Sequence, residues 1–78
     1  MYKYDYTHSV SDDTAMKECF DLIPTGKVVA GKINASSQFF YVAYAYTGSQ
    51  YGSMIAVLFN GNVKIMGVSG GTKTIRTL

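Results

Sequence analysis

The chain has 78 residues, 47% of them apolar and 15% charged, with seven basic against five acidic side chains for a formal net charge of +2. That length supports one hydrophobic core, so 1–78 is read as a single domain, and the apolar balance is that of a folded chain rather than a disordered tail. Lys3, Lys17, Lys27, Lys32, Lys64, Lys73 and Arg76 are scattered and build no basic run.

Tyr2, Tyr4, Tyr6 and His8 alternate with Lys3, Asp5 and Thr7, the period of a half-buried strand. Capping residues follow from Ser9 to Asp13, and Met16, Cys19, Phe20 and Ile23 then recur at helical spacing. This predicts an amphipathic helix of about three turns, capped by Ser11 or Asp12 and stopped at Pro24-Thr25-Gly26. Strands are predicted over Lys27 to Ala35 and, after a turn at Ser36-Ser37, over Gln38 to Tyr46. Thr47 to Gly52 reads as a polar loop and Ser53 to Phe59 as a strand. Asn60-Gly61 then signals a type I′ hairpin, because both central residues of that turn take positive φ. Asn62 to Val68 returns, Ser69-Gly70-Gly71 breaks it, and Thr72 to Leu78 forms a short charged edge.

The order β-α-β-β-β-β, with a further strand at the end, predicts an α+β fold: an antiparallel meander of four to six strands with one amphipathic helix packed on it. Short turns favour hairpins and exclude parallel crossovers. A sheet wrapped round the helix and a small bent barrel both suit this order.

Little in the chain points to catalysis. Gly67-Val68-Ser69-Gly70-Gly71-Thr72-Lys73-Thr74 resembles a phosphate loop, but Thr72 stands where glycine must precede the lysine, and only four residues remain for the helix that should follow. Cys19 falls on the apolar face of the helix, as a small buried hydrophobe, so it is no partner for His8 in a nucleophilic pair. One histidine and one cysteine are too few for structural zinc, so neither metal nor cofactor is expected. Asp12, Asp13, Glu18 and Asp21 read as the solvated side of the helix. A single cysteine suits a reducing, cytoplasmic setting. With no basic-then-apolar leader and no apolar run near 18 residues, neither export nor a membrane span is expected.

The informative feature is that the third and fourth predicted strands are apolar on both faces. Phe39, Tyr41, Ala43 and Ala45 oppose Phe40, Val42, Tyr44 and Tyr46, and Met54, Ala56 and Leu58 oppose Ile55, Val57 and Phe59. One short helix covers one face. The other needs the chain's own curvature, a second copy or a foreign partner. Together with seven tyrosines, this points to a non-catalytic protein that occupies a surface of another protein, as small viral or mobile-element inhibitors of host machinery do, or that forms a homo-oligomer. The alternative is an oligonucleotide- or nucleotide-binding module or oligomeric sponge using the same sheet. The candidate binding residues are Tyr41, Tyr44, Tyr46, Lys73 and Arg76.

Overall fold

The computed structural model describes all 78 residues. Helix α1 spans Asp12–Leu22 and starts where capping chemistry puts it: the Ser11 hydroxyl accepts the Thr14 N–H at 3.2 Å, with Asp12 and Asp13 in the first turn at the positive end of the dipole. Ile23, last of the apolar series, is the buried C-cap, and its N–H still bonds the Cys19 carbonyl before Pro24 ends the run.

Seven strands follow the predicted pattern more closely in place than in direction. They are β1 (Tyr2–Lys3), β2 (Tyr6–Thr7), β3 (Val28–Asn34), β4 (Gln38–Tyr46), β5 (Tyr51–Leu58), β6 (Val63–Ser69) and β7 (Thr72–Thr77). β3 to β7 form the antiparallel meander, and β1 and β2 both pair along the outer edge of β3. They run parallel to it, which corrects the exclusion of parallel crossovers: α1 is itself the crossover of a β-α-β unit. The two edges of the sheet do not meet, so no barrel closes.

The N-terminal strand is one register in two pieces, since Lys3 pairs with Ala30 and Tyr6 with Ile33 at the same offset. The break between them has a specific cause. A parallel ladder would send the Lys32 N–H to the Tyr4 carbonyl. That carbonyl instead accepts the Tyr41 hydroxyl at 2.6 Å, and the Asp5 carboxylate takes the Lys32 N–H at 2.9 Å. The turned carbonyl lies over Gly31, where an added Cβ would come within 1.8 Å of its oxygen.

Two turns differ from expectation. At Asn60-Gly61 only Gly61 has positive φ, at +88°, and its N–H bonds the Leu58 carbonyl at 2.9 Å. Leu58 N–H in turn reaches the Asn62 carbonyl, so the loop is the three-residue form, a type I turn closed by a left-handed residue, rather than type I′. Successive positive φ occurs at Gly70 and Gly71, between the paired Ser69 and Thr72, where the two-residue turn is found. Because the space around Gly61 is open, Gly61→Val should cost only its backbone strain, more than about 1 kcal/mol, measured as a lowered denaturation midpoint at unchanged m-value.

The core lies between α1 and the sheet. Ala15, Met16, Cys19, Phe20 and Ile23 meet alternate residues of the strands, chiefly Val29, Ile33, Phe39, Tyr41, Met54 and Met66. Ala43, Ala45 and Ala56 on the same face are buried too, and their small side chains let the helix approach the central strands closely.

Candidate docking face and corner cleft

Alternation along each strand fixes which side chains look away from the helix. On that outer face the ladder sets Phe40 against Val57 and Val63, Val42 against Ile55 and Ile65, and Val28 against Tyr44. Tyr46 and Tyr51 pair at the end of the same two strands. Exposure is 52% for Phe40, 40% for Tyr44, 58% for Tyr46, 48% for Tyr51 and 42% for Ile55. Four half-exposed rings offer about 400 Å² of accessible surface. With the valines and isoleucines the face reaches on the order of 600 Å², the upper end for the largest patch on a monomer and close to the roughly 800 Å² per partner of a stable interface. From β3 to β7 it bears no carboxylate and only two cations, Lys32 and Arg76, at opposite sides. A shallow depression of about 230 Å³ lies at its centre, bordered by Val28, Val42, Tyr44, Ile55 and Ile65.

The candidate residues divide. Tyr44, Tyr46 and Arg76 are exposed on the outer face. Tyr41 is on the other side, fully buried, its hydroxyl held by Tyr4; burial pushes its phenol far above the ordinary value. Lys73 also lies on the helix side, its ammonium 2.9 Å from the Asp21 carboxylate. The structure therefore does not bring these five residues together.

Lys73 belongs to a set of contacts that fasten the helix, which corrects the reading of its acidic side as simply solvated. Asp13 pairs with Lys64, Asp21 with Lys73, and the Asp12 carboxylate accepts the Ser37 N–H at 2.9 Å. The two lysine side chains are only 19% and 17% exposed, their stems laid on the sheet and their heads reaching the helix. Glu18 holds the opposite flank: one oxygen accepts the Tyr6 hydroxyl at 2.6 Å and lies 2.7 Å from His8 Nδ1. Those bonds lower the Glu18 pKa, and the same bond pushes the Tyr6 phenol up to about 12. A signal for this was present, since Lys64 and Lys73 occupy positions whose period-two neighbours Met66, Val68 and Ile75 are apolar.

Burial pushes the Cys19 thiol up to about 11, so little of it is thiolate near neutral pH. No three of the His, Cys, Asp and Glu side chains gather in a group able to hold a metal ion. The one helix is not long and apolar enough to cross a membrane.

Next to the N-terminal strand the outer face deepens into a cleft of about 470 Å³ lined by Asp5, Thr7, Lys32, Asn34, Gln38, Phe40 and Phe59, among others. Sequence reasoning did not single out Lys32, Asn34 or Gln38. Laying the β3–β4 hairpin in register would have found them, because period two places Lys32, Asn34, Gln38 and Phe40 on one face.

No family model, curated protein or solved structure matches the chain.

Proposed function

We propose that the chain is a non-catalytic binding protein that works by occupying a surface of another protein through the outer face of its sheet. The observation that supports this is the continuity of the face: aromatic and branched side chains from β3 to β6 run together with no helix over them and no carboxylate among them. Removing such an area from water is favourable, and tyrosine adds rigid contact area with a polar tip at little entropic cost. Occupying a partner in this way is how small inhibitors of the viral or mobile-element type act, in the cytoplasm of a host. The occupant proposed is a foreign protein; a second copy of the chain on the same face is the competing outcome, and two measurements separate them.

Tyr44→Asp places a charge near the middle of the face without touching the core. It should keep the far-ultraviolet circular dichroism of the parent while weakening association by tenfold or more. Light scattering at high micromolar concentration reads the second copy. Affinity capture with the two chains side by side reads the foreign protein, as a species retained by the parent and lost with Tyr44→Asp. A monomeric parent that captures nothing the variant loses would sink the proposal.

A further inference from the structure

The corner cleft holds polar side chains that the fold does not use. Asn34 and Gln38 stand directly opposite each other across β3 and β4, yet neither carboxamide makes a hydrogen bond within the chain. The four ion pairs employ Lys3, His8, Lys64 and Lys73, which leaves the Lys32 ammonium without a partner at the same site. Phe40, the ladder partner of Lys32, and the 80% exposed Phe59 add two rings to the same cleft. Phe59 opens the turn after β5.

These features restrict the ligand. A wholly apolar one would strip water from Lys32, Asn34 and Gln38 and return nothing. A bare anion would use Lys32 and ignore the rings. An added peptide strand would bond the free edge of β1 and β2, and would leave Lys32, Gln38 and Phe40, which stand on strands paired on both sides, unused. A flat ring with donors and acceptors along its edge and a negative group beyond meets every condition. We propose that the cleft binds a nucleotide unit, with its base stacked on Phe40 and Phe59, the base edge on Asn34 and Gln38, and its phosphate on Lys32. Carboxamides suit a base edge because each offers both a donor and an acceptor, and aromatic stacking tolerates any base.

The test is a nuclear magnetic resonance titration of the ¹⁵N-labelled full chain with the four common nucleoside monophosphates, their nucleosides, inorganic phosphate and short single-stranded oligonucleotides. A monophosphate should shift the Asn34 and Gln38 side-chain amides and the Phe40 and Phe59 backbone signals, and its nucleoside should bind more weakly. Phe40→Ala should reduce affinity roughly 5- to 150-fold, the loss of one stacked base. Lys32→Gln should abolish the preference for monophosphate over nucleoside, which a merely structural role for Lys32 would not do. Tighter binding of an oligonucleotide than of the monophosphate assigns the unit to a single strand, and equal affinity assigns it to a free nucleotide. No shift at these four residues up to millimolar nucleotide overturns the proposal, and so does an equal response to inorganic phosphate.

Discussion

Gly31→Ala should destabilise the chain by more than about 3 kcal/mol, although it adds only one methyl group. The new Cβ would meet the Tyr4 carbonyl oxygen at 1.8 Å and its carbon at 2.6 Å, and both are backbone atoms that no rotamer change can move. Relief requires the N-terminal strand to lift from β3. Lifting it breaks the Tyr41 hydroxyl bond to Tyr4 and the Tyr4 N–H bond to Ala30. It also leaves a fully buried phenol with no acceptor, a cost of about 1–3 kcal/mol on its own. Gly67→Ala is the control, since nothing lies within 4 Å of its added Cβ and its φ is not positive. Thermal melts of the two variants beside the parent make the measurement. Equal melting temperatures for both would mean that the Tyr4 carbonyl does not lie over Gly31.

The same region shows where sequence reading stops. Tyr2 to His8 was legible as a strand because its period of two is local, and the helix was legible because capping residues and apolar spacing agree. The direction of pairing was not, because it depends on where α1 carries the chain. Gly52 shows a second limit. Read as the end of a polar loop, it lies inside β5 with φ +148°, and a Cβ there would come within 2.1 Å of the Tyr44 carbonyl. Turn and close-approach glycines look alike in a sequence, and only the neighbouring chain separates them. The surplus apolar face could be read from alternation alone. Which tyrosines lie on it could be read as well, since Tyr41 differs in parity from Tyr44 and Tyr46. The partners of Lys64 and Lys73 could not, because they depend on how the helix lies across the sheet.

Phe20→Ala should cost about 3–5 kcal/mol, the range for deleting a fully buried ring. The upper part of that range applies here because the site cannot collapse. The ring tip lies 2.9 Å from the position of the Cβ that Gly52 lacks, so on this side the aromatic edge packs on strand backbone rather than on adaptable side chains. A larger residue at position 52 cannot fill the hole, because its Cβ would strike the Tyr44 carbonyl first. The Asp13–Lys64 and Asp21–Lys73 pairs do not compensate, since ion pairs at a surface contribute about 0–1 kcal/mol each. A chain of this length has roughly 4–12 kcal/mol of total stability, so the variant should melt about 15–30 °C lower or not fold at all. Phe20→Leu retains most of the buried volume and should recover more than half of the loss. If Phe20→Ala instead melts within a few degrees of the parent, α1 is not what covers this face of the sheet. The contrast between a covered and a bare face, on which the docking proposal rests, would then fail with it.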